Sequence, residues 1–139
     1  MAAATISRTL KGLTLKPSPN QYLVAPNGYT VSPSMRPAPS FRQSPKEVAE
    51  AWKKVAQQQV RTKLEGEDIE GKVVRTHHTQ KSLIFRFADD IYADFIPENG
   101  RTSIAVYSAS RVGYGDLGVN QKRVEAWLEE LQKAVPPSK

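Results

Sequence analysis

The chain of 139 residues contains no cysteine. That excludes a disulfide framework, thiolate catalysis, cysteine zinc sites and a lipidated cysteine anchor. It fits a reducing compartment. Long apolar runs are missing too: none approaches the roughly 20 residues that cross a bilayer as a helix. No apolar segment follows the first charge, so a secretory signal is not expected. Acid is absent from the first third of the chain. Met1 to Lys46 carries Arg8, Lys11, Lys16, Arg36, Arg42 and Lys46 with no Asp or Glu, and these cations account for the whole net charge of +6. The remainder balances its 14 acids with as many bases. A neutral body lacks the basic face of a duplex-DNA reader, so no specific nucleic acid is expected as a partner.

What is present reads as a soluble globular domain with one core, 39% hydrophobic and 24% charged. Met1 to Lys16 is basic and rich in Ala, Thr and Ser, a composition shared by organelle transit peptides and by disordered termini. Seven of the ten prolines then fall between Pro17 and Pro45. Proline blocks helix and favours extended chain. Apolar residues punctuate this stretch, and a mere linker would not need them. Residues 1–43 are therefore expected to form a basic, Pro-rich extended arm that packs on its own domain or on a partner. Tyr22, Leu23, Tyr29, Met35 and Phe41 are its candidate partner-binding anchors.

Residues 44–139 predict an α+β domain. Ser44-Pro45-Lys46-Glu47 opens a helix with a capping box and a first-turn proline. Val48, Trp52 and Val55 continue it at helical spacing, and it should fade around Gln57 to Gln59. Val60 to Leu64 is a weak strand, and Glu65 to Asp68 is expected as a loop. Lys72–Thr79, Ser82–Phe87, Ile91–Ile96 and Thr102–Ser110 follow as strands. Short connections make neighbours antiparallel, and Asn99-Gly100 is a hairpin signal. Val124, Trp127, Leu128, Leu131 and Val135 form the apolar stripe of a last helix, with Asn120 expected as its cap and Val119 and Val124 as a staple. The expected architecture is an antiparallel sheet of four or five strands with two helices on one face. Trp52 and Trp127 belong to its core.

The residues that could carry chemistry are few. His77 and His78 are adjacent on a strand and should point to opposite faces, so they cannot chelate one metal together. Asp89-Asp90 reads as a solvated turn. No metal and no cofactor is expected. The glycine-rich stretch from Ser108 to Arg123 is the best candidate site. Gly113, Gly115 and Gly118 lead into a helix N-terminus, where free N–H groups favour an anion. Lys122 and Arg123 are misplaced there unless something negative lies nearby. That charge could come from Asp116, paired with Arg111 or Arg123 as an internal clamp. It could also come from a bound phosphate or carboxylate, held with Ser108, Ser110 and Asn120. The glycine spacing is neither a Walker loop nor a dinucleotide fingerprint, and the serines lack a nucleophile elbow.

Ser108-Ala-Ser-Arg-Val-Gly-Tyr-Gly-Asp-Leu-Gly-Val-Asn-Gln-Lys-Arg123 resembles the signature of the domain of unknown function 1499 family. Leu83-Ile-Phe-Arg-Phe-Ala-Asp-Asp90 is similar to its "F-R-F-P-D-D" stretch, with Ala88 in place of proline. Ser18-Pro19-Asn20 matches its "S-P-N", followed here by Gln21-Tyr22 where many members have Cys-Val. The resemblance runs from Ser18 to about Leu131. It implies no activity. In photosynthetic sources it implies a plastid or thylakoid-associated accessory role; bacterial members leave a bacterial cytoplasm open.

The leading expectation is a non-enzymatic accessory or assembly subunit that binds a larger protein complex through the arm, with peripheral membrane association open. The first alternative is an anion-binding module using the loop before the last helix. The second is a hydrolase centred on Ser110, Asp116 and Arg111.

Overall fold

The computed structural model describes residues 9–83 and 87–136. The targeting-like composition of residues 1–8 and the alternation through Ile84, Phe85 and Arg86 lie outside them. The elements run β1 (Gln21–Val24), β2 (Ser40–Phe41), α1 (Pro45–Gln57), β3 (Thr62–Glu70), β4 (Val73–Lys81), β5 (Ala88–Glu98), β6 (Arg101–Ser110) and α2 (Val119–Ala134). The fold is α+β. The sheet is antiparallel with six strands rather than four or five, in the order β1-β6-β5-β4-β3, with β2 also on β6. The extra strands come from the Pro-rich stretch. Their residues alternate too briefly to announce a strand, and β6 supplies the edge that extends them.

Both helices pack on one face. Ser44 accepts from the Glu47 N–H while Glu47 accepts from the Ser44 N–H, which is the expected capping box. From α1, Val48, Trp52 and Val55 meet Val124, Trp127, Leu128 and Leu131 of α2 over Ile91, Ala93, Phe95, Ile104 and Val106. Trp52 lies edge-on to both Trp127 and Phe95, with ring centroids 5.4 and 6.3 Å apart. Among the described residues, no helix is long and apolar enough to cross a membrane.

The opposite face is covered by irregular chain. Leu10, Leu23, Ala25, Ala105, Tyr107 and Ala109 form a second buried cluster, with Leu13, Leu15 and Tyr29 packed on it. Backbone bonds from Gly12 to Tyr29 (2.8 Å), Val31 to Leu13 (2.9 Å) and Met35 to Leu23 (2.9 Å) hold this cover together. Of the two alternatives for the arm, residues 10–41 pack on their own domain. Tyr22, Leu23 and Phe41 are buried there, Tyr29 is half-buried, and Met35 alone of the five anchors is exposed.

Two local expectations change. Glu65 to Asp68 is strand, not loop: Gly66 sits at a bulge that shifts the β3–β4 register, after which Glu67 reaches Lys53 of α1 and Asp68 reaches Arg75 on the other face. Asp89 and Asp90 lie within β5, because the strand begins at Ala88, and Ser82 and Leu83 fall in the preceding turn. The Asn99-Gly100 hairpin is present, both residues with positive φ (53° and 75°), as a two-residue hairpin turn requires.

Candidate functional site

β6 delivers Ser108 and Ser110 to the helix face, and α2 brings Asn120 and Arg123 down onto them. The result is a buried polar knot. The Ser108 hydroxyl donates to Asn120 Oδ1 (2.6 Å). Arg123 donates to Ser108 Oγ (3.0 Å), Asn120 Oδ1 (2.9 Å) and Gln80, and pairs with Asp89 at 2.8 Å. Asn120 Nδ2 is shared among Asp116 Oδ2 (2.7 Å), Ser110 Oγ (3.0 Å) and the Asn20 carbonyl (3.2 Å). Asn20 in turn donates to the carbonyls of Val112 and Gly113, tying the glycine-rich loop to the start of β1.

Three assignments are corrected by this geometry. Asn120 is not the N-cap of α2. The cap is Gly118 in the left-handed region (φ 76°), and Asn120 is fully buried within the first turn. Asp116 performs the capping from outside the helix, accepting from the N–H groups of Gly118 (2.9 Å) and Asn120 (3.2 Å). The clamp therefore exists with other partners than expected: Arg123 goes to Asp89, and Arg111 pairs with Asp90 through two bonds of 2.9 Å. Burial alone would raise the Asp116 carboxyl, but the hydrogen bonds from Asn120 and Gly118 outweigh it and hold its pKa below the usual range. Finally, Asp89 and Asp90 are half-buried ion-pair partners, not a solvated turn.

The helix N-terminus that invited an external anion is thus filled by the protein's own carboxylate. Of the ten candidate residues, Ser108, Ser110, Asp116, Asn120 and Arg123 come together in one network. Gly118 supplies its turn. Gly113 and Gly115 lie on the exposed loop, and Lys122 points away, exposed. Ser110 and Asp116 both accept from Asn120 Nδ2, while Arg111 turns to Asp90 and stays out of their network.

The two histidines face opposite ways, as the strand period requires. His78 is buried, edge-on to Trp127 at 6.0 Å, and burial, aided by His77 and Lys53, pushes its pKa down to about 4. His77 contacts Asp90 Oδ1 at 2.7 Å and stacks on Tyr92 with centroids 4.2 Å apart. Burial would raise Asp90, but Arg111 and His77 together hold it down at about 2.

The loop locked by this knot displays what it does not use. Leu117 is 96% exposed, Tyr114 71%, and Val112 and Val119 nearly half. The strand register sets the β4–β5 turn and the residues before β3 at the same end of the sheet. Leu83, Phe87 and Val60 are exposed there. Among the described residues, seven of the eleven exposed large hydrophobics therefore lie toward the same end of the sheet. Only the alternation Leu83–Phe87 hints at them in the sequence, and that pattern reads as a strand face. Arg61, Lys81, Arg111 and Lys122 are exposed around the tip, while its carboxylates Asp89, Asp90 and Asp116 are committed internally.

A family model described as protein of unknown function (DUF1499) matches residues 13–131, most of the chain. No curated protein and no solved structure matches it.

Proposed function

The chain belongs to the DUF1499 family, and we propose that it serves as a non-enzymatic accessory subunit that docks on a larger protein complex through the apolar tip of its sheet. The observation that carries the reading is the concentration, among the described residues, of seven exposed large hydrophobics at one end, beside the exposed cations Arg61, Lys81 and Lys122. Contiguous exposed apolar surface marks interaction sites, and aromatic or branched anchors supply most interface energy. A loop held by Asn20, Asp116 and Asn120 loses little entropy on binding, which favours affinity. The expected counter-surface is apolar with an acidic rim. Of the five arm anchors, Tyr22, Leu23 and Phe41 are buried in the chain's own fold, which favours the tip over the arm as the docking surface.

The test compares Leu117→Asp and Tyr114→Asp with the wild type by size-exclusion of native extracts. Wild type should elute with a large species and both variants at the monomer position. Their unfolding free energies should stay within roughly 0.5 kcal/mol of wild type, as expected for surface changes. Elution of the wild type as a free monomer, or of the variants with the large species, would overturn the proposal.

A further inference from the structure

On the face of the sheet away from the helices, a cavity of about 370 Å³ opens between residues of the N-terminal cover and β5 and β6. Its walls include Lys16, Asp90, Tyr92, Tyr107, Ala109 and Arg111. The small side chain of Ala109 between the larger Tyr107 and Arg111 leaves the space. Two cations stand at it, and each is held in place by other residues. The Lys16 backbone exchanges hydrogen bonds with the Gln21 side-chain amide (2.6 and 3.3 Å), and Gln21 Oε1 also accepts from the Tyr107 hydroxyl (2.7 Å). Arg111 is fixed by two bonds to Asp90, and Asp90 is steadied in turn by His77 stacked on Tyr92.

Their donors are not exhausted. Lys16 Nζ reaches only the Ser110 carbonyl, at 2.9 Å, and has no carboxylate partner among the described residues. Arg111 spends Nε and Nη2 on Asp90 and keeps Nη1. Asp90 is the one carboxylate lining the cavity against two cations, with Glu65 acting on Arg111 from outside the wall, and in a concave, partly desolvated site an added negative charge is favoured. Aromatic and apolar wall with a few convergent polar groups is the usual make-up of a small-molecule pocket. We propose that this cavity binds the oxyanion group of a small organic anion, a carboxylate or phosphate ester, between Lys16 and Arg111, with the body of the ligand against Tyr92 and Ala109. The site lies apart from the filled N-terminus of α2, and it exists only because the N-terminal cover folds back onto the sheet.

The experiment titrates the full chain with inorganic phosphate, phenyl phosphate and benzoate at ionic strength fixed with chloride. Amide chemical shifts and melting temperature are followed together. Phenyl phosphate or benzoate should give saturable shifts at Lys16 and Ala109 to Arg111, with a melting increment that grows as the logarithm of ligand. Inorganic phosphate, lacking a body, should bind the same residues at least several-fold more weakly. The tighter of the two organic anions identifies the head group. Lys16→Gln should weaken binding about tenfold, and Arg111→Lys, which keeps the charge but not the fork, several-fold. Lys122→Gln should leave it unchanged. The inference fails if neither organic anion saturates, if the shifts centre on Gly118 to Lys122, or if Lys16→Gln binds as well as wild type.

Discussion

The two faces of the sheet are covered by different kinds of chain. One carries α1 and α2, whose apolar stripes meet around Trp52, Trp127 and Phe95 in a continuous hydrophobic core. The other carries irregular chain from residues 10–20 and 25–35, on either side of β1, held by single anchors such as Leu10 and by polar ties such as the Tyr29 hydroxyl donating to Asp94 at 2.6 Å. On the first face each residue is supported by its own helix before it meets the sheet. On the second, Leu10 and Tyr29 are held by the sheet and by each other's neighbours, so cover and pocket form together. Apolar burial dominates the first face, and directed bonds set the second.

The largest expected effects break this contrast directly. Trp127→Ala should cost about 3–5 kcal/mol, since it empties the centre of the helix face. Leu10→Ala should cost about 2 kcal/mol, at the low end for a buried leucine, because irregular chain can settle into the gap. Denaturant melts give the two energies. Limited proteolysis should show the Leu10 variant cut first between residues 9 and 35 while the helices stay protected. Equal costs and no early cleavage would mean that both covers unfold as one unit.

The next effect uses acid. On the cover side, burial raises Asp94 from 3.8 to about 6, against the opposing pull of Tyr29 and Arg75 and with some help from Glu70. Folding then takes up a proton, so this group's contribution to stability rises as the pH falls from about 6 toward 3.8. On the helix side, burial lowers His78 from 6.5 to about 4, with His77 and Lys53 adding to it and Glu65 opposing. Folding then favours the neutral ring, so its contribution is full above 6.5 and is lost as the pH falls through about 4. Each amounts to about 3 kcal/mol across its window, with opposite sign. Wild type should therefore vary little between pH 6.5 and 4. Asp94→Asn should become acid-labile in that window, and His78→Gln should grow more stable toward pH 4. Parallel slopes in the two variants would refute the opposition of the faces.

The same contrast explains what was legible in the sequence. α1 could be bounded from Ser44, Pro45 and Glu47, and α2 from Val124 to Leu131, because capping and helical period are local. The Asn99-Gly100 hairpin was legible for the same reason. β1 and β2 were not, since Gln21–Val24 and Ser40–Phe41 become strands only where β6 offers unpaired backbone. The candidate site was located, but its wiring was misread. A buried Asn in the first turn of a helix has the same sequence signature as a capping Asn, and only the fold decides that Asp116 reaches the N–H groups first. The pairing of Asp89 with Arg123 and Asp90 with Arg111 follows from β5 starting at Ala88, a boundary that the apolar alternation ahead of it obscured.

The smallest effect concerns the charge left over at the start of α2. Lys122 is exposed in the first turn, where the helix dipole disfavours a cation by about 0.3–1 kcal/mol. The Asp116 carboxylate sits at that terminus and offsets the penalty. Asp116→Ala removes both the cap and the counter-charge and should cost about 1–2 kcal/mol. Lys122→Ala alone should change stability by less than about 0.5 kcal/mol, in the stabilising direction. In the Asp116→Ala background the same change should help more, because nothing then shields Lys122 from the dipole. A double-mutant cycle at low salt reads the difference, and added salt should shrink it. If Lys122→Ala gives the same small gain with and without Asp116, the carboxylate acts as a hydrogen-bonding cap alone, and its charge does not compensate the cations that follow it.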